Sequence, residues 1–116
     1  MLPNRIKLSK KATDKLRHIK GQTGLTPNIL SRIAIMLAIK EGSNLLNACV
    51  NDNDGQEIND ATLFGEYIYV YDVLINQYIH DNNISMGVTE TIVALIEVGV
   101  HKMGHVKRLE QLGEFV

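Results

Sequence analysis

Cysteine occurs once, at Cys49, so no disulfide can close within the chain and no cysteine-based zinc site can form from a single copy. Long apolar runs are missing too. The longest, Ile33 to Ile39, has seven residues, far short of the roughly 20 that a membrane-spanning helix needs. The opening MLPNRIKLSKK has no apolar stretch of the kind a secretory signal carries, and the expectation is a cytoplasmic protein with no membrane partner. Neither the phosphate-binding GxxxxGKS/T string, nor GxGxxG, nor the GxSxG nucleophile turn occurs. Cys49 lies among Leu46, Ala48 and Val50, neighbours that suit a small buried side chain better than a nucleophile. With no catalytic constellation in view, the chain reads as a non-enzyme without a cofactor.

What remains is an ordinary globular composition. The 116 residues, 45% of them hydrophobic and 22% charged, suffice for one compact domain. The net charge of −1 conceals a strong asymmetry. Residues 1–42 carry nine Lys/Arg against Asp14 and Glu41, whereas residues 43–116 carry three against eleven carboxylates. A basic end joined to an acidic remainder points to a polyanion partner, although two halves facing each other across a subunit contact would show the same pattern.

The hydrophobic periods give a mainly helical fold. Residues 5–9 alternate polar and apolar as a short half-buried strand does. Ser9 can cap a helix over 10–20 whose apolar stripe is Ala12, Leu16 and Ile19. Gly21-Gln22-Thr23-Gly24 is then expected to break the chain into a turn, and Thr26-Pro27 to restart it as a second helix over 27–41, with Leu25 and Leu30 as a hydrophobic staple and Gly42 as the stop. The run Ile33–Ile39 is apolar all round, more than one small chain is expected to cover, which implies a partner subunit. NDNDGQEIND reads as a polar turn. Residues 63–81 are rich in strand formers yet keep helical spacing through Phe64, Tyr67, Ile68, Tyr71, Leu74, Ile75, Tyr78 and Ile79, so they are read as helix ended by Asn82-Asn83. A further helix, capped by Thr89 and running to about Met103, is built on Ile92, Leu95, Ile96 and Val100, and a short amphipathic piece with Val106, Leu109 and Leu112 ends the chain.

Two motifs invite a metal and fail on inspection. Around Asp52, Asp54 and Gly55 the chain resembles a calcium loop, but alignment on Gly55 puts Val50 and Ala61 where the first and twelfth ligands belong. His101 and His105 share helical spacing without the third ligand or HExxH glutamate that zinc chemistry requires; surface or interface histidines are the plainer reading.

The basic end is another matter. Lys10 and Lys11 stand in the first turn of a helix, where the helix dipole disfavours positive charge. Lys11 and Lys15 repel at i, i+4. A phosphate backbone reverses both penalties. Gly21 and Gly24 leave bare backbone ahead of the second helix, where a phosphate oxygen can approach, although a plain inter-helix turn would use the same glycines.

A short strand, a basic helix, a glycine turn and a Thr-capped apolar helix resemble the ribbon-helix-helix pattern of small DNA-binding proteins, in which two chains pair their strands. More specifically, NRIKLSKKATDKLRHIKGQTGLTPNILSRIAIMLAIKEG resembles the opening of the DNA sulfur modification protein DndE family, most distinctively in GQTGLTPN, and the likeness continues through Glu66 to Asp81 and on to the C-terminus. The resemblance implies a non-enzymatic member of the bacterial machinery that replaces a non-bridging phosphate oxygen of DNA with sulfur. It implies binding to DNA with a preference for nicked duplex, assembly as a homotetramer, and partner subunits, among them a cysteine desulfurase and an iron–sulfur protein, that perform the chemistry.

The expectation is therefore a single, mainly α domain over residues 1–116, with a basic, ribbon-helix-helix-like strand-helix-helix part at 1–42 and an acidic helical extension at 43–116. Lys7, Lys10, Lys11, Lys15, Arg17 and Lys20 are expected to contact phosphates, with Gly21 and Gly24 giving backbone access. A ribbon-helix-helix repressor that reads an operator, and an adaptor whose basic end docks an acidic protein, fit the same residues.

Overall fold

In the computed structural model, which describes residues 2–42, 44, 45, 48, 50 and 52–104, the alternation at the N-terminus forms a strand, β1 (Arg5–Lys7), with Ile6 fully buried between two exposed basic residues. Its ladder partner belongs to the same chain: β2 (Glu57–Asn59) pairs with it antiparallel, Ile6 opposite Ile58. The ribbon-helix-helix likeness thus holds for the order strand, helix, helix, but the strand pairing which in that fold joins two chains is made here within one. The segment read only as a polar turn supplies the second strand. Its three residues were too few for their alternation to stand out against NDND.

Helix α1 (Lys10–Thr23) begins as expected, the Ser9 hydroxyl oxygen accepting the Ala12 N–H at 3.0 Å. Ala12, Leu16 and Ile19 are buried, and Thr13 joins them. The helix does not break at Gly21. It continues to Thr23, whose hydroxyl donates to the Ile19 carbonyl, and ends at Gly24, left-handed at φ 79° with its N–H on the Lys20 carbonyl. One glycine near a helix end costs only about 1 kcal/mol relative to alanine, too little to stop a helix whose next residue still finds a partner.

Helix α2 (Pro27–Lys40) starts after an extended Thr26, with proline in the first turn and Leu30 fully buried. Much of its apolar run is covered by the chain itself. Ala34, Ile35, Leu37 and Ala38 are buried, while Ile33 and Ile39 are partly so and Met36 is 44% exposed. The cover is α5 (Val88–Lys102), whose Ile92, Leu95, Ile96 and Val100 are buried as read from their spacing. The two helices touch backbone to backbone: a Cβ at Gly99 would stand 2.0 Å from the Ala34 carbonyl oxygen. The cap of α5 is Gly87 rather than Thr89, because Glu90 reaches back to accept the Gly87 N–H at 2.6 Å.

Residues 60–81 are helical in pieces: α3 (Asp60–Phe64), a 3-10 turn (Gly65–Tyr67) and α4 (Ile68–Asp81). Helical period prevails over strand propensity, but the helix is interrupted where Gly65 takes φ 56°. Arg32 of α2 donates to the Leu63 carbonyl, and Asn28 to that of Thr62 at 3.2 Å, so α2 satisfies the carbonyls that the interruption frees. Asn83, at φ 52°, closes α4. One core holds Leu8, Leu16, Leu30, Ile35, Phe64, Ile75 and Leu95 together, drawing on both the basic and the acidic part of the chain. No helix among the described residues is long and apolar enough to cross a membrane. Cys49, His105 and the amphipathic piece with Val106, Leu109 and Leu112 lie outside the described residues.

Candidate nucleic-acid interface

The buried stripe of α1 leaves the opposite face to solvent, and most of the basic residues collect there. Lys10, Lys11, Arg17, Lys20 and Gly21 are exposed, Lys15 is half-buried at the edge beside α5, and exposed Lys7 precedes them on β1. Gly24 is exposed at the end of the same helix. Arg17 has a loose ion pair with Asp14 at 3.8 Å, a surface contact worth about 0–1 kcal/mol. Lys7, Lys10, Lys11 and Lys20 have no ion-pair partner among the described residues. Of the other two basic residues near the N-terminus with described partners, Arg5 leans on Glu57 at 3.8 Å and Arg32 is spent on α3.

The first turn of α1 is held by two distant segments. Asp52 Oδ1 accepts the main-chain N–H of both Lys10 and Asp54, each at 2.9 Å. These two bonds, the one from Asp54 first, hold its carboxyl below the ordinary aspartate range against some desolvation, and the Lys10 charge adds to the effect. The loop behind it is pressed onto the helix. Gly55 donates to the Leu8 carbonyl and Gln56 to Thr13 Oγ1, and a Cβ on Gly55 would stand 2.2 Å from the Ser9 carbonyl oxygen. From the other side the Ser9 hydroxyl donates to the buried Glu97 carboxylate at 2.5 Å. The string that resembled a calcium loop is therefore a clasp for α1, and its carboxylate offsets part of the dipole penalty that Lys10 and Lys11 carry. Among the described residues no three His, Cys, Asp or Glu side chains converge as a metal requires.

Sequence reasoning missed Asp52, Gly55 and Glu97 because each acts on α1 across at least 40 residues of chain. It also left His101 as an unassigned surface histidine, whereas Lys15 Nζ lies 3.1 Å from its Nδ1. Of the two glycines, Gly24 needs its positive φ. Gly21 needs none, and among the described residues nothing stands within 4 Å of the place a Cβ would take at either position.

Fold and site define a small α-helical protein that shows solvent one helix face rich in positive charge. The model of the DNA sulphur modification protein DndE family matches residues 5–110, and the chain belongs to that family. Among solved structures it is similar to DndE from Escherichia coli B7A, involved in DNA phosphorothioation modification, with 25% identity, 89% of this chain and 99% of that one covered, and a TM-score of 0.72. A DndE variant in which two glycines are replaced by lysine has the same fold, with 22% identity, the same coverage and a TM-score of 0.71. No curated protein sequence matches the chain.

Proposed function

We propose that this chain is a non-catalytic DNA-binding subunit of the DNA phosphorothioation machinery, that it prefers nicked duplex, and that it works as a homo-oligomer, a tetramer in the simplest form, beside the subunits that mobilise sulfur. The observation that carries the reading is the exposed face of α1, where Lys10, Lys11 and Lys20 lack ion-pair partners among the described residues. Such a face displaces the counterions condensed on DNA as it neutralises phosphates, and it supplies affinity without reading bases. Family membership gives the pathway. The site offers point charges, which suit holding a backbone rather than breaking it. An operator-reading repressor is disfavoured because β1 already has its ladder partner in its own chain.

Anisotropy titrations of intact, nicked and single-stranded DNA at several salt concentrations test the proposal. The tightest binding is expected for the nicked duplex, with affinity falling steeply as salt rises. Absence of binding to all three at low salt, with retained capture of another subunit of the machinery, would replace it by the adaptor reading.

A further inference from the structure

Lys15 stands where the exposed face of α1 meets α5, and its Nζ lies 3.1 Å from Nδ1 of His101. An ammonium group only donates, so the imidazole nitrogen facing it accepts, and His101 in this arrangement is neutral. The contact joins residues 86 apart in sequence and extends the basic face of α1 onto a second helix. His101 itself is exposed.

Among the described residues, each carboxylate around the pair already has another partner. On α1, Lys11 and His18 lie one turn either side of Lys15. On α5, Glu97 is one turn before His101 and its carboxylate takes the Ser9 hydroxyl at 2.5 Å. Lys102 follows His101 and is held at 2.8 Å by Glu41, which with Lys40 ends α2. Both carboxylates near His101 are thus engaged by other described groups, Asp14 beside Lys15 pairs with Arg17 at 3.8 Å, and the other charged residues described around Lys15 are basic.

We propose that His101 is a second phosphate-binding residue of this interface, coupled to a proton. A backbone phosphate oxygen enters between the two side chains, and the Lys15 ammonium turns its donors toward it. The imidazole, no longer accepting, takes one proton from solvent at Nδ1 and becomes the second cation of a two-pronged clamp. An anion within about 4–6 Å favours the imidazolium over the neutral ring, so phosphate and proton bind together. The inference rests on the DNA-binding reading and adds to it a residue on another helix and the uptake of one proton together with the phosphate.

Affinity for a nicked duplex, measured by anisotropy at fixed ionic strength from about pH 5.5 to about 8.5, tests it with the unmodified protein, His101→Gln and His101→Arg, all checked for equal melting temperature. The unmodified protein should bind more tightly as pH falls, by up to about tenfold per unit for one proton taken up. His101→Gln should match it at the alkaline end and lose the acid gain. His101→Arg should bind tightly throughout, with the gain absent. If His101→Gln keeps the full pH dependence, the proton belongs to another group such as His18 and the proposal falls. It falls equally if the unmodified protein binds with no pH dependence. Failure of the unmodified protein to bind DNA at any pH would remove the DNA-binding reading itself.

Discussion

The main-chain N–H of Lys10 donates to Oδ1 of Asp52 at 2.9 Å, so the acidic part of the chain closes the first turn of its most basic helix. Because the Asp52 carboxyl is held below its ordinary value, its charged form stabilises the fold above the range where free aspartates titrate. That contribution is lost as pH falls through the depressed folded value. Asp52→Asn should therefore melt below the unmodified protein at neutral pH and converge with it in strong acid. The same substitution removes a negative charge beside Lys10, so DNA affinity should rise at low salt and the difference should shrink at high salt. Unchanged affinity at low salt would show that phosphates keep away from this turn.

Two glycines hold the scaffold through absent side chains. A Cβ on Gly55 would meet the Ser9 carbonyl oxygen at 2.2 Å, and one on Gly99 the Ala34 carbonyl oxygen at 2.0 Å. Both neighbours are backbone and cannot turn aside. Gly55→Ala and Gly99→Ala should each lose about 1–3 kcal/mol in denaturant unfolding, the usual range for overpacking. Gly55→Ala should in addition uncouple the clasp, leaving a protein whose melting temperature no longer responds to Asp52→Asn.

The reach of sequence reasoning here follows the range of the forces involved. The stripe of α1, the helical period of residues 68–81 and the core face of α5 were legible because burial repeats with the helix itself. So was the surface position of Lys10, Lys11 and Arg17, opposite that stripe. The pairing of β1 with β2 was not, since three-residue strands carry almost no periodic signal. Nor was the cover over Ala34, which comes from a helix more than 50 residues later. Partners of the basic helix that lie in the loop and on α5 leave no local mark at all.

The lysines of α1 should act as separable point charges. Lys10→Ala, Lys11→Ala and Lys20→Ala are each expected to weaken binding to every DNA form by a similar factor and to lower the slope of log affinity against log salt by about one unit. Arg17→Ala should do less, because the guanidinium already shares its charge with Asp14. A variant that loses binding to the nicked duplex alone would mark its lysine as reading DNA structure rather than charge.

Assembly should run through the apolar side chains that the chain leaves outside. Ile35 is fully buried in the chain's own core, so a charge there would unfold the protein and say nothing about subunits. Met36 at 44%, Val73 at 70% and Tyr69 at 81% exposure are the informative positions. Met36→Asp on α2 or Val73→Asp on α4 should lower the mass seen by light scattering while circular dichroism stays unchanged. A single-chain mass for the unmodified protein would set the homo-oligomer aside.

Gly21 and Gly24 separate two accounts of the bare backbone at the end of α1. Gly24 has φ 79°, where a side chain costs about 1–2 kcal/mol, so any substitution there mixes strain with its effect on DNA. Gly21 is helical and faces open space. Its replacement by alanine should raise stability by about 0.8–1.0 kcal/mol, and the glycine is thus kept at a cost that nothing among the described residues explains. If its use is to let a phosphate or a strand end reach the backbone, Gly21→Lys should bind the nicked duplex less tightly in spite of its added charge. The fold should be at least as stable as before, which excludes strain as the cause. Electrostatics alone gives the opposite sign, tighter binding with a steeper salt slope. Tighter binding by a well-folded Gly21→Lys would take Gly21 out of the interface and leave the lysines to account for it.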